Sequence, residues 1–280
     1  MLKTIKELLK KRLVGPQLMK SHYSLVDEPS VIETEHYYDK WTDKYLDSYG
    51  DIFQAVRPDS DEAFLTYLKE GIGITNGMKL LDAGCGICGP SIYFAQENEV
   101  TIDALTISNV QVEIAKKKII SADLTNKVKV KKGDFHKLDN IYQSNSYDIV
   151  FFLESLGYAN QLDSLISGVY KVLKPGGCIY IKDYFFVPAK EERHFAAQTE
   201  TAVEVRREYC YRLLDIENLI SILRQTGFYL VFVRRREFTD DYTKAANFEK
   251  RNGHGNVCLR AMVNPYPLYE PLELKFQKIG

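Results

Sequence analysis

Between residues 78 and 185 the chain repeats one pattern: a short apolar run, a polar break, then apolar residues recurring at helical spacing. The runs Leu80 to Ala83, Glu99 to Leu105, a third ending at Lys132, Tyr147 to Phe152, and Cys178 to Lys182 read as five strands. Alternation of strands with helices predicts a parallel sheet covered on both faces. Farther on, Ile216 to Thr226 reads as a helix closed by Gly227, and Leu230 to Val233 and Val257 to Val263 as two more strands. The fold expected is α/β, a mostly parallel seven-stranded sheet with helices on both faces. Asn76-Gly77 is the turn that opens it.

The flanks have a different texture. Residues 1–75 are helical by pattern, with Leu2, Ile5, Leu8 or Leu9, and Leu13 on one face and Lys3, Lys6, Lys10, Lys11 and Arg12 opposite. Residues 188–214 are charged and helical, carrying Glu200, Glu204, Arg206 and Arg207. The division expected is therefore an N-terminal helical cap (1–75), a core (76–187 and 215–280), and a lid inserted after the fifth strand (188–214).

The core's first loop carries the chemistry. Leu80-Leu81-Asp82-Ala83 leads into glycines at 84, 86 and 89, then a helix pattern from Ser91. A strand, a tight turn and a helix N-terminus bring backbone N–H groups against a ligand. The spacing satisfies the dinucleotide fingerprint, so NAD and an oxidoreductase stand as one reading. That reading needs a carboxylate at the tip of the second strand for the ribose hydroxyls. The tip here is Thr106-Ile107-Ser108, followed by Gln111, and Asp103 lies three residues too early. Asp82, just ahead of the glycines, would repel a pyrophosphate. A cationic cofactor without phosphate fits better, and S-adenosylmethionine is one.

Leu81-Asp82-Ala83-Gly84-Cys85-Gly86 resembles the first motif of class I S-adenosylmethionine-dependent methyltransferases, whose fold is Rossmann-like. Lys132-Gly133-Asp134-Phe135, Tyr147 to Phe152 and Leu173-Lys174-Pro175-Gly176-Gly177 follow in the family's order. Within that family, Thr106-x-Ser108-x-x-Gln111 is similar to the branch holding cyclopropane fatty acid synthases and sterol, prenyl diphosphate and tocopherol C-methyltransferases. His36-Tyr37-Tyr38-Asp39 resembles that branch's N-terminal Y-Y-D element, and Glu154-Ser155-Leu156-Gly157-Tyr158 its glutamate-containing turn. The resemblance implies cofactor contacts from Tyr38, Asp82, Gly84, Gly86, Thr106, Ile107, Gln111, Asp134 and Phe135. It implies that Glu154 and Tyr158 face the acceptor. Two departures stand out: no cysteine follows the Y-Y-D element before Cys85, and Tyr158 occupies the place of a histidine, so cyclopropanation is not implied.

Methyl transfer is an in-line displacement, for which the enzyme chiefly supplies proximity and orientation. Glu154 is the candidate to remove a proton or steady positive charge, with a pKa expected to rise on burial. Tyr158 is the candidate helper, and Tyr184 the next choice. The tyrosines of the cap suit attraction to a sulfonium. The function expected is methylation of a small, largely apolar metabolite, at carbon in a terpenoid, sterol or polyketide-like acceptor. N- or O-methylation of a natural product is the alternative.

Composition narrows the partners. A net charge of −1 lacks the basic footprint of a nucleic-acid binder, and no apolar run approaches membrane-spanning length. Five cysteines form no disulfide framework, which fits the cytoplasm. Cys85-x-x-Cys88 lacks a second ligand pair, and the five histidines show no metal spacing. Arg234-Arg235-Arg236 reads as a solvated strand end, and Asn264-Pro265-Tyr266-Pro267 sits too late to be the motif of DNA amino-methyltransferases. A homodimer is left open.

Overall fold

The computed structural model describes residues 26–280 apart from 56, 59, 190, 236–242, 255–256 and 258–267. The amphipathic stretch Leu2 to Leu13, Arg236 and Asn264 to Pro267 lie outside the described residues. The elements run α1 (Val31–Tyr49), α2 (Asp61–Ile72), β1 (Lys79–Ala83), α3 (Gly89–Glu97), β2 (Thr101–Thr106), α4 (Asn109–Ser121) and β3 (Val128–Lys132). They continue with α5 (Leu138–Ile141), β4 (Tyr147–Leu153), α6 (Leu162–Val172), β5 (Leu173–Phe186) and α7 (Glu192–Tyr209). The last are α8 (Ile216–Thr226), β6 (Phe228–Arg235), α9 (Thr243–Asn252) and β7 (Tyr269–Lys278).

One seven-stranded sheet has the order β3-β2-β1-β4-β5-β7-β6, with β7 antiparallel to both neighbours. Successive side chains of a strand point to opposite faces, so the continuous apolar runs serve two cores. Leu81, Val150, Phe152 and Ile181 face α6 and α8 through Leu165, Val169, Leu219 and Leu223. Leu80, Ile149, Phe151 and Tyr180 face α2, α3 and α4 through Phe64, Leu68, Phe94 and Ile119. The helix α2, placed with the cap by its sequence texture, thus buries its apolar face on the sheet. Strand order reverses direction between β1 and β4, the crevice where such sheets bind ligands.

The α8 helix has the expected bounds, with Gly227 at φ 109° closing it. The seventh strand does not fall where expected. It is Tyr269–Lys278, while Val257 is helical. The true strand hides behind its charges: Leu272, Leu274 and Phe276 enter one core, but Glu273 and Lys275 occupy the other face. Those two are buried or half-buried under α2, Glu273 paired to Arg234 and Lys275 Nζ bonded to the Ile72 carbonyl at 2.8 Å. Arg235 pairs with Glu270 at 2.6 Å, so both described arginines of this strand end are committed to carboxylates.

Above the carboxyl ends of the strands sits a roof of α1, α7 and α9. Tyr45, Tyr49 and Phe248 form its centre, with Tyr37, Tyr38, Trp41, Phe53 and Tyr209 packed around them. Among the described residues no helix is long and apolar enough to cross a membrane.

Candidate active site

At the β1–β4 crevice a cleft of about 860 Å³ opens, and every residue expected at the site lines it: Tyr38, Asp82, Gly84, Gly86, Thr106, Ile107, Gln111, Asp134, Phe135, Glu154 and Tyr158. Its floor is the glycine loop. Gly84 and Cys85 donate backbone N–H bonds to the Leu105 carbonyl at 2.9 Å, which ties the loop to β2. Gly84 adopts φ 95°, and a Cβ there would lie 2.4 Å from that of Ser155. Only glycine serves. Gly89 has another reason: a Cβ would lie 1.9 Å from the Asp51 carbonyl oxygen. The third glycine therefore makes room for the loop after α1, a packing role that needs no phosphate.

Asp82 is 2 % exposed and accepts the Ser91 hydroxyl at 2.6 Å. Burial lifts its pKa to about 7, the serine bond acting against the rise. At the tip of β2, Thr106 Oγ1 donates to Gln111 Oε1. The Gln111 Nε2 is left buried without a hydrogen-bond partner among the described residues, an unsatisfied donor on a residue that lines the cleft. Ser108 caps α4 by accepting Gln111 N–H at 3.1 Å, and its own hydroxyl donates to Asp39 at 2.5 Å. The aspartate of the Y-Y-D element thus clamps α1 over the cofactor loop and sets Tyr38 in the cleft wall.

Beyond β3, Asp134 Oδ1 accepts both His136 N–H at 3.0 Å and the ring Nδ1 at 2.6 Å. Burial would raise this carboxyl, but the His136 bonds outweigh it and hold the pKa below the ordinary range. The His136 Nε2 accepts Asn160 N–H at 3.0 Å, which assigns the proton to Nδ1. His136 thereby holds the Asp134 carboxylate in place.

Glu154 and Tyr158 come together with Tyr38 at the cleft's inner end. Tyr38 donates its hydroxyl to Tyr158 at 2.7 Å, and the rings meet edge-on with centroids 5.3 Å apart. Burial pushes both phenols above their ordinary pKa, so both stay neutral. Glu154 is fixed more firmly than expected. It sits at φ 55°, pairs with buried Lys182, and accepts Ala55 N–H at 2.9 Å through its other oxygen. A carboxylate so engaged is held in one place at the inner end of the cleft.

Past these residues lies a second chamber of about 700 Å³, sharing Tyr38, Phe53, Glu154 and Tyr158 with the first. Tyr184, Tyr211 and Tyr269 bring its tyrosines to eight, with Tyr45, Tyr49 and Tyr209 on the roof side. Sequence reasoning missed Tyr211 and Asp183. Tyr211 donates its hydroxyl to Asp183, a fully buried carboxyl that also accepts Leu156 and Tyr184 N–H at 2.9 Å. Burial lifts the Asp183 pKa to about 7, offset in part by the Tyr184 backbone bond. The only sequence signal was an acidic residue inside the apolar run of β5.

The donor set suits S-adenosylmethionine: an unpaired buried donor at the tip of β2, a buried acceptor at the glycine loop, and aromatic walls. Comparison with known proteins agrees. The family described as Methyltransferase domain matches residues 74–227. Curated relatives include sterol 24-C-methyltransferase ERG6A of Gibberella zeae, 34 % identical over 158 residues, covering 54 % of this chain and 41 % of that protein. Another is sterol 24-C-methyltransferase erg-4 of Neurospora crassa, 29 % identical, covering 71 % of this chain and 54 % of that one. The chain thus spans about half the length of the curated relatives it matches. Among solved structures, the [4+2]-cyclase SpnF superposes with a TM-score of 0.74 at 21 % identity, over 91 % of this chain and 98 % of that one. Geranyl diphosphate C-methyltransferase of Streptomyces coelicolor gives 0.66 at 12 % identity, over 91 % and 90 %; at these identities both show the fold. With its ordered motifs, its sheet topology and its cleft, the chain belongs to the methyltransferase domain family.

Proposed function

We propose that the chain methylates an uncharged, largely apolar acceptor held in the tyrosine chamber, at a carbon atom of a terpenoid or sterol-like molecule. The cofactor is S-adenosylmethionine, which when bound supplies an electrophilic methyl group. Thr106 and Gln111 would hold its ribose, Asp134 and Phe135 its adenine, and the loop at Gly84 and Gly86 its amino-acid end.

The observation that carries the reading is the chamber's chemistry. Its eight tyrosines are joined by Phe53, Ala55, Val205 and Leu213, and its described lining residues include no lysine or arginine. Several hydroxyls are committed elsewhere: Tyr38 to Tyr158, Tyr45 to Tyr37, Tyr209 to Glu249 and Tyr211 to Asp183. Ring surface is what an acceptor meets. A diphosphate would find no counter-charge there, whereas an apolar body would be well covered. Alkylation of a carbon–carbon double bond leaves positive charge on the acceptor, and aromatic faces together with the Glu154 carboxylate steady such charge. Discharge requires loss of a proton, which Tyr211 can take while passing its own to Asp183.

The names of the sterol 24-C-methyltransferases support the acceptor class. The test is transfer of label from methyl-labelled S-adenosylmethionine to a sterol with a side-chain double bond, beside geranyl diphosphate. Label in the sterol is expected. Label in the diphosphate and none in the sterol refutes the reading.

A further inference from the structure

We propose that Gln54 recognises the amino-acid end of the cofactor, its side-chain carbonyl accepting a hydrogen bond from the ammonium group; this rests on S-adenosylmethionine being the ligand of the cleft. Gln54 is 1 % exposed and lines the cleft, and its Oε1 is buried without a hydrogen-bond partner among the described residues. A buried carbonyl left unsatisfied is costly, so native structures seldom keep one without a ligand or water to serve it.

The loop around Gln54 is held on every side, so the side chain is aimed by a fixed backbone. Before it, the Asp51 carbonyl rests against Gly89 in a gap that excludes a Cβ. After it, Ala55 N–H is bonded to Glu154. Beneath it, the buried Arg57 guanidinium donates to the carbonyls of Ile52 at 3.0 Å and Tyr49 at 2.5 Å. The Gln54 N–H itself turns back to the Ile52 carbonyl at 2.9 Å.

Position selects which part of the ligand Gln54 meets. The Gly133–His136 segment follows β3, and Thr106 closes β2 with Gln111 just after it, so these residues lie on the β3 side of the sheet edge that carries the cleft. Gln54 belongs to the opposite end, between Phe53, which lies 3.5 Å from the Cβ position of Gly86, and Ala55 on Glu154. That end offers acceptors: the Gln54 carbonyl and the buried Asp82 carboxyl. In this cofactor the group with several N–H donors and a positive charge is the ammonium. The assignment is complementary to Gln111, whose unpaired atom is a donor.

Two ligands isolate the contact: S-adenosylhomocysteine, and 5′-methylthioadenosine, the same nucleoside thioether without the amino-acid end. Binding of each is measured by calorimetry on the full chain. Gln54→Met is expected to weaken S-adenosylhomocysteine about tenfold, the loss of one hydrogen bond to a charged group, and methylthioadenosine less than about twofold. Gln54→Glu keeps acceptor oxygens and is expected to bind S-adenosylhomocysteine within about threefold of the unaltered protein, or more tightly. Equal weakening of both ligands by Gln54→Met, no weakening of either, or a loss of homocysteine-end binding in Gln54→Glu overturns the proposal. Should Gln54→Met not fold, Gln54→Glu alone decides. If the unaltered protein binds neither ligand, the cofactor assignment itself falls, and Gln54 with it.

Discussion

The buried carboxyl of Asp82 makes cofactor binding sensitive to pH in a direction the structure fixes. Burial raises its pKa from the ordinary 3.8 to about 7, a penalty on the ionised form of roughly 4 kcal/mol at about 1.4 kcal/mol per pH unit. Between those two values the folded protein holds a proton that the unfolded chain releases. Stability from this group is therefore greatest at low pH and declines as pH rises through about 7. A cation placed beside Asp82 favours the ionised form, so binding expels the proton. At pH 7 about half the free molecules carry it, at pH 6 about nine in ten, and at pH 8 about one in ten. Binding that requires the carboxylate should then weaken about tenfold from pH 8 to pH 6. Calorimetric titration with S-adenosylhomocysteine in two buffers of different ionisation enthalpy counts the protons directly. About half a proton released at pH 7 is expected, falling to none in Asp82→Asn, which can still accept the Ser91 hydroxyl. An unchanged release in Asp82→Asn, or none in the unaltered protein at pH 6, would refute the reasoning.

Glu154→Gln leaves Lys182, whose side chain is 2 % exposed, without its counter-charge, and should lower stability by about 3–5 kcal/mol in urea denaturation; a loss under about 1 kcal/mol would show that the pair carries little. Gly89→Ala drives a methyl group against the Asp51 carbonyl and should displace the loop that bears Gln54, costing about 1–3 kcal/mol and weakening S-adenosylhomocysteine. Retained affinity in that variant would mean the loop is not part of the site.

The parts of this site that were legible in the sequence are those whose chemistry is local. Gly84, Thr106, Asp134 and Glu154 each close or follow a strand, and a parallel sheet brings strand ends to one edge, so the strand pattern placed them together while the family resemblance implied their roles. What was not legible depends on contacts across the chain. Nothing near Gly89 says that Asp51 presses on it. The partner of Glu154 is Lys182, brought alongside by the pairing of Leu153 with Lys182 in β4 and β5, and strand register does not appear in a linear reading. The last strand is expected at Val257 to Val263; Tyr269–Lys278 takes that place with charged residues on one face, which Arg234 and the Ile72 carbonyl compensate in the interior. Gln54 carried a faint signal, one polar residue in the run Ile52-Phe53-Gln54-Ala55, and only the fold shows that it faces a cleft.

The central claim is that this cleft holds S-adenosylmethionine and no dinucleotide. Parallel calorimetric titration with S-adenosylhomocysteine and with NAD tests it most directly. Micromolar binding of S-adenosylhomocysteine and no heat with NAD is the predicted result. Binding of NAD alone would contradict the account and return the Gly84-Gly86-Gly89 loop to the role of a pyrophosphate cradle.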